Sequence, residues 1–154
     1  MKINVLIFLP LVCLFQSCSW QEYFVVINET KSDIVVEYEV EIPPSGFPIF
    51  TNQPRCFSLN SERLINWNET SKTEDLDTAK HLVKICLAPN KGLIIGELSN
   101  DYYTSFDQYF INGRYFNLKN LTINYADILT EINPKNFDNF FIKHKKMIEY
   151  RVKK

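Results

Sequence analysis

Glycine and histidine are scarce in this chain, and their scarcity excludes several kinds of active site. The 154 residues include four glycines and two histidines. The glycines are scattered singly, so the sequence has no glycine-rich loop of the kind that holds phosphate groups. Neither His81 nor His144 lies in an HExxH motif or another close metal-binding pair, and no GxSxG nucleophile motif occurs. The sequence therefore favours a non-catalytic protein with no cofactor and no metal ion.

A strong positive charge and a long hydrophobic run are also missing. The chain has 17 basic and 18 acidic residues, a formal net charge of −1. Domains that bind nucleic acid are usually markedly basic, so we expect no nucleic-acid partner. No segment approaches the ~18 apolar residues that indicate a transmembrane helix. Membrane attachment, if present, would need another device.

The first residues have the pattern of an export signal. After Lys2, the segment Ile3 to Phe15 is apolar except for Asn4 and Pro10. An apolar run of about a dozen residues behind a positive charge is typical of a signal peptide and is too short to cross a bilayer. We therefore predict that residues 1–17 are removed, and that residues 18–154 form a single domain with a short N-terminal tether.

Cys18 stands where the apolar run gives way to polar sequence. The stretch Leu14-Phe15-Gln16-Ser17-Cys18 resembles a bacterial lipobox in the loose form of Bacteroidetes envelope lipoproteins; Ser17 fits the pattern, whereas the two residues before it depart from it. The resemblance implies lipidation of the Cys18 thiol and a location in the cell envelope, anchored to the outer membrane on its periplasmic side. The alternative is an ordinary cut after Ser19, which would release an unlipidated domain beginning at Trp20.

Two cysteines remain in the mature chain, Cys56 and Cys86. The oxidising cell envelope permits a disulfide between them. Closing this loop of about 30 residues would stabilise the fold by roughly 3 to 4 kcal/mol in the chain-entropy model. The alternative is a pair of unbonded thiols that pack as small apolar groups. We favour the disulfide.

Short runs of β-branched and aromatic residues, separated by turn residues, predict a mainly β fold. Two such pairs, within 23–42 and 81–98, predict hairpins, and Asn112-Gly113 predicts a third with a type I′ turn. The last run, 146–152, predicts a final strand with one apolar face. Together these signals predict an antiparallel, immunoglobulin-like β-sandwich.

One short C-terminal helix is also predicted. Asn133-Pro134 has the pattern of a helix N-cap followed by proline at the first helical position. Phe137, Phe140 and Phe141 then recur at the spacing of one helix face. We therefore expect a helix of about two to three turns between the last two strands.

The aromatic stretch from Tyr102 to Phe116 has seven aromatic residues in 15 positions. Exposed aromatic rings are common in binding surfaces, because they offer a large apolar area with a polar edge. The functional interpretation is therefore a surface for a protein or glycan ligand; the alternative is that most of these rings lie in the core. The candidate surface residues are Tyr102, Tyr103, Tyr109, Phe116 and Trp67.

The sequence thus indicates a lipid-anchored protein with a binding or structural role, and three alternatives stay open. One is an immunity or inhibitor lipoprotein of the periplasm, and another is the unlipidated secreted domain. The third is a hydrolase built from Asp75, Asp77 and His81. The basic C-terminal cluster of Lys143, Lys145, Lys146, Arg151, Lys153 and Lys154 could face anionic headgroups, but we favour a charged edge strand that resists aggregation.

Overall fold

A computed structural model describes residues 20–42, 45–73 and 81–153. In this part of the chain the fold is mainly β, with one short α-helix, as predicted. The helix is α1 (Phe137–Phe140). The strands are β1 (Gln21–Asn28), β2 (Ile34–Val40), β3 (Phe47–Pro48), β4 (Phe50–Leu59), β5 (Ile65–Lys72), β6 (Leu82–Leu87), β7 (Lys91–Ser99), β8 (Arg114–Tyr115), β9 (Leu118–Tyr125), β10 (Ile128–Ile132), β11 (Ile142–His144) and β12 (Met147–Val152).

Ten of these strands form two large sheets. The first has the order β11-β12-β1-β7-β4-β5, and the second has the order β10-β9-β2-β6. Neighbouring strands in both sheets are antiparallel, except that β1 and β12 pair in parallel. Mainly antiparallel β structure is therefore confirmed. The immunoglobulin-like arrangement of the sheets stays a prediction.

The main hydrophobic core contains residues from the facing sides of the two sheets. On β2, Val36 and Tyr38 are fully buried, whereas Glu37 and Glu39 on the other face form ion pairs with lysines of neighbouring strands. Apolar and charged residues alternate in the sequence of β2, and successive side chains of a strand point to opposite faces of its sheet. Phe24 on β1 packs into the same core from the six-stranded sheet.

A second, smaller apolar cluster covers the outer face of the six-stranded sheet. Val25 and Ile27 of β1 pack there with Phe57 of β4 and Met147 of β12. Ile65, at the start of β5, is buried in the same cluster. The continuous apolar run of β1 follows from this packing, because the strand is buried on both faces and needs no polar side.

Two predicted hairpins are wrong, although their strands form. β1 and β2 belong to different sheets, and so do β6 and β7. The buried Asn28 side chain explains the first crossing. Its amide nitrogen donates to the carbonyls of Ser32 and Leu87, and its oxygen accepts from the backbone and hydroxyl of Thr30. These bonds direct the chain from one sheet to the other, instead of back along β1.

The hairpin predicted at Asn112-Gly113 is also wrong. Both residues have the positive φ angles of a type I′ turn, 57° and 65°, but they lie in a short 3-10 turn. The chain before them forms a loop, in which the Asp101 carboxylate accepts a hydrogen bond from the Ile111 backbone at 2.8 Å. β8 then pairs in parallel with β3. Two consecutive positive φ angles do join strands at Ala126 and Asp127, between β9 and β10.

The C-terminal part of the chain agrees well with the sequence. The Asn133 side chain caps the helical segment by accepting from the Lys135 backbone at 3.0 Å. A 3-10 turn at Pro134–Asn136 precedes α1, so the helical segment is at the short end of the prediction. The final strand forms as β12, with Ile148 and Val152 in the main core. Within the described residues, no helix has the length and apolar character needed to cross a bilayer.

Candidate functional site

The five aromatic residues predicted as a binding surface do not form one surface. Tyr109 is 90% exposed, Tyr102 55% and Trp67 49%, whereas Tyr103 is only 5% exposed and Phe116 is partly buried. Tyr103 and Phe116 therefore belong to the core, as the alternative interpretation had it. The exposed rings lie in two regions, with Tyr109 in one and Tyr102 and Trp67 in the other.

Tyr103 is fixed in the core by ring contacts and by its polar groups. Its ring meets that of Phe24 edge to face at 5.0 Å, and its hydroxyl donates to the Asp138 carboxylate. Burial, followed by the neighbouring Asp138 charge, raises the pKa of Tyr103 well above its ordinary value. The hydroxyl stays protonated under all ordinary conditions, so Tyr103 is a structural residue.

The first region is a groove beside the 100–113 loop, here called the aromatic groove, with a volume of about 750 Å³. It contains both exposed and partly buried rings, together with charged side chains of both signs. Apolar walls with a few placed polar groups are typical of ligand sites. The aromatic lining residues are Phe106, Tyr109, Phe110, Tyr115 and Phe116, and the charged ones are Glu41, Asp107, Arg114 and Lys119.

Arg114 is the chemically distinctive member of the aromatic groove. Its Nε atom is buried and has no hydrogen-bond partner among the described residues. Its guanidinium carbon lies 5.9 Å from the centre of the Phe47 ring. A buried donor without an acceptor costs about 1 to 3 kcal/mol, which an arriving carbonyl or carboxylate would offset. The buried position of this atom could not be predicted from the sequence, because it depends on the path of the 100–113 loop.

The second region surrounds the beginning of β1 and is here called the Trp20 belt. It comprises Trp20, Tyr102 and Trp67 with the cations Lys146, Lys143 and Arg55, each of which lies near one ring. Lys146 Nζ is 4.8 Å from the centre of the Trp20 ring, Lys143 Nζ is 5.5 Å from Tyr102, and the Arg55 guanidinium is 5.8 Å from Trp67. The Trp20 and Tyr102 rings are 5.0 Å apart. These distances are typical of cation–π contacts.

Glu22 holds the Trp20 belt together from below, and the sequence analysis did not single it out. Its carboxylate is fully buried and accepts from Trp20 Nε1 at 3.1 Å and from the Tyr103 backbone at 2.8 Å. Lys143 Nζ lies 2.6 Å from the same carboxylate, which compensates the buried charge. Glu22 thus fixes one ring and one cation of the belt.

Next to the Trp20 belt, a groove of about 520 Å³ runs over the outer face of the six-stranded sheet. Trp20 and Trp67 line it, together with Tyr23, whose ring lies 4.9 Å from that of Trp67. Lys145 and Lys146 also line it. Because Trp20 and Trp67 both line this groove, it joins the parts of the Trp20 belt around them into one continuous surface.

Arg151, part of the predicted basic cluster, forms a partly buried charge network instead of a free patch. Its guanidinium donates to Glu149 at 2.6 and 2.7 Å and also to Glu29. Burial alone would raise the pKa of Glu29, but hydrogen bonds from Arg151 and Arg63 outweigh it and hold that pKa below its ordinary value of 4.5. The network joins the end of β1 to β12.

Replacing Arg151 with methionine should destabilise the fold by roughly 2 to 3 kcal/mol at neutral pH, because two carboxylates lose their main partner. A group whose folded pKa is lowered stabilises the fold above its unfolded pKa, and this contribution is lost as the pH falls through the folded value. The difference between the two proteins should therefore shrink below pH 4.5. Urea unfolding across this range measures it, and Arg55→Met, in an exposed ion pair with Glu97, is the control. An unchanged difference would contradict the role given to Glu29.

The predicted disulfide between Cys56 and Cys86 is absent, and both thiols are free. Cys56 lies on β4 and packs against the main core, whereas Cys86 lies on β6 and is exposed. On β6, Val83 and Leu87 are buried, so Cys86 points away from the core that Cys56 faces. Two cysteines that lie on different sheets and point in different directions cannot form a disulfide without movement of the backbone.

Alkylation of the native protein without reductant should modify Cys86 first. Burial raises the pKa of both thiols, and the Asp33 carboxylate raises that of Cys86 further, so the reaction should be run at alkaline pH. Cys56 should react only after unfolding, because its side chain is packed. Mass spectrometry counts the labels. If neither cysteine reacts after unfolding unless reductant is added, the two thiols are bonded and the structural assignment is wrong.

The hydrolase alternative stays a prediction. His81 lies immediately before β6, and Asp75 and Asp77 lie outside the described residues. No group of three metal-ligating side chains occurs in the part of the chain that is described. Comparisons of the chain with protein-family models, with curated proteins and with solved structures find no match.

Proposed function

We propose that this protein is a lipid-anchored protein of the bacterial cell envelope that binds a ligand and does not transform a substrate. The anchor is an acylated Cys18, left at the new N-terminus when residues 1–17 are removed. The protein is held on the periplasmic side of the outer membrane. An immunoglobulin-like sandwich carries the binding surface.

The contacts of Trp20 bear on where the leader can be cut. Trp20 already belongs to the domain, because its carbonyl accepts from the Asn100 backbone at 2.7 Å and its indole donates to Glu22. β1 then begins at Gln21 and is an interior strand of the six-stranded sheet. Cleavage before Cys18 keeps Trp20 and all of β1 in the mature protein, so this cut is compatible with the fold of the described residues.

The aromatic groove supports a binding role. It combines exposed rings with the buried donor of Arg114, a combination that suits a ligand with an apolar body and a carbonyl or carboxylate group. A protein segment presents both features, so the immunity or inhibitor role is the second candidate that the groove favours. A catalytic role has no comparable support among the described side chains.

The anchor is tested by expressing the full chain in a bacterium and separating membranes from soluble periplasmic protein. The wild type should be in the membrane fraction and should leave it in detergent but not in high salt. A Cys18→Ser variant should be soluble or remain unprocessed. Stable attachment of the wild type requires at least two acyl chains, because a single chain binds a membrane only marginally.

Cys13→Ser is the matched control, because it removes the other cysteine of the leader and leaves the lipobox-like stretch intact. This variant should partition like the wild type. If the Cys18→Ser protein has lost its leader, as its mass would show, and is still membrane-bound like the Cys13→Ser protein, Cys18 is not the anchor and the proposal fails.

A further inference from the structure

The Trp20 belt surrounds the place where the proposed anchor leaves the domain. Two residue steps separate Cys18 from Trp20, and an extended chain spans at most about 3.6 Å per residue. The Cα atom of Trp20 therefore lies within about 7 Å of that of Cys18. The headgroup region of one leaflet is roughly 5 to 8 Å thick. An acylated Cys18 would thus bring Trp20 to the level of the headgroups.

The composition of the Trp20 belt suits that level of a membrane. Tryptophan and tyrosine collect at membrane–water interfaces, because one edge of the ring is apolar and the other is polar. Lysine side chains extend along apolar surface and keep the ammonium group in the headgroup layer. Trp20, Tyr102 and Trp67 have this character, and each has a cation beside it.

The charge of the belt is positive in a domain that is slightly negative. Lys143 is balanced by the buried Glu22, and Lys145 pairs with Glu62 at 3.2 Å. Arg55 pairs with Glu97 at 3.3 Å. Lys146, whose ammonium group lies over Trp20, adds one positive charge to these three ion pairs. An anionic lipid surface attracts this extra positive charge. A lipid headgroup can also replace Glu62 as the partner of Lys145, because Glu62 is exposed.

We propose that the Trp20 belt lies directly against the anionic headgroups of the membrane that holds the protein, an inference that rests on the anchor at Cys18. The lipid then fixes the orientation of the domain as well as its location. The start of β1, the β11–β12 turn and Trp67 face the bilayer. The turn after β1, which contains Lys31, points away from the membrane, since a strand of eight residues is about 25 Å long.

The two tryptophans allow a direct test, because they are the only ones in the chain. The mature Trp20→Phe protein, purified from membranes, is reconstituted into vesicles of phosphatidylethanolamine and phosphatidylglycerol with a quencher attached near the lipid headgroup. Trp67, which is far from Cys18 in the chain, should be strongly quenched, and more weakly quenched in vesicles of phosphatidylcholine alone. Adding Lys146→Gln should lower the ratio of quenched to unquenched protein about fivefold. Lys31→Gln, at the far end of β1, is the matched control and should change nothing.

Flotation of the same vesicles measures the anchor separately. If the protein floats with the vesicles and Trp67 is not quenched, the belt does not lie against the membrane and the orientation is wrong, although the anchor is right. If quenching is equal in neutral and anionic vesicles, the headgroup charge has no part in it, and the inference is also overturned. If the protein does not float, the anchor itself fails, and the inference fails with it.

Discussion

Replacing Phe137 with alanine is expected to lower the free energy of unfolding by about 3 to 5 kcal/mol, the usual cost of removing a large aromatic side chain from a core. Phe137 is fully buried and lies where α1 closes the space between the two sheets. Two of the surrounding rings, those of Phe24 and Phe50, are held by β1 and β4, so they cannot collapse into the cavity. The rings in contact with it are Phe24, Phe50, Tyr103, Phe116 and Phe141, at centroid distances of 4.1 to 6.0 Å.

The measurement is urea unfolding followed by tryptophan fluorescence. Phe140→Ala is the matched control, since Phe140 lies on the same helix, is only partly buried and has one ring neighbour, Tyr150, at 5.6 Å. The control should lose about 1 to 2 kcal/mol, because less apolar area leaves the core. Equal losses for the two variants would mean that α1 does not close the core as described.

Asn117→Ala should cost about 3 to 4 kcal/mol, although it removes no apolar contact of comparable size. The Asn117 side chain is almost fully buried between β8 and β9. Its oxygen accepts from the backbones of Ile49 and Phe50 at 3.0 and 2.8 Å. Its amide nitrogen donates to the carbonyls of Phe50 and Glu41 at 2.9 and 3.0 Å. With alanine at this position, these backbone N–H and carbonyl groups would lose their hydrogen-bond partner in a buried space.

Asn120→Ala tests whether the effect belongs to the hydrogen bonds. Asn120 lies three residues further along the chain, in β9, is exposed, and should change stability by less than about 0.5 kcal/mol. Thermal or urea unfolding of both variants gives the comparison. A small loss for Asn117→Ala, close to that of the control, would show that the start of β4 is held by other contacts.

The sequence predicted most of the strands but not how they pair. Apolar and charged residues alternate in β2, and the apolar face is the buried one. Alternation does not show which strands lie side by side in a sheet. A hairpin between consecutive strands is then the simplest expectation, and here it is wrong for two pairs. The polar side chains that send the chain to the other sheet, such as Asn28, have no periodic pattern in the sequence.

The candidate site was predictable in composition and not in geometry. Several of the aromatic residues between Tyr102 and Phe116 line the aromatic groove, while its role in binding stays a prediction. Whether each ring faces the core or the solvent depends on the 100–113 loop, whose shape is fixed by local hydrogen bonds such as that from Ile111 to Asp101. The same limit applies to Glu22, which appears in the sequence as one more polar residue before an apolar strand and is in fact fully buried.

The measurement that most directly tests the central claim is the intact mass of the mature protein. The protein should be recovered from the membranes of a bacterium that expresses the full chain with its own leader. The account predicts the mass of residues 18–154 plus acyl groups, and the loss of this species in Cys18→Ala. A soluble product that begins at Trp20, with no added mass, would contradict the anchor and make a diffusible secreted domain the correct description.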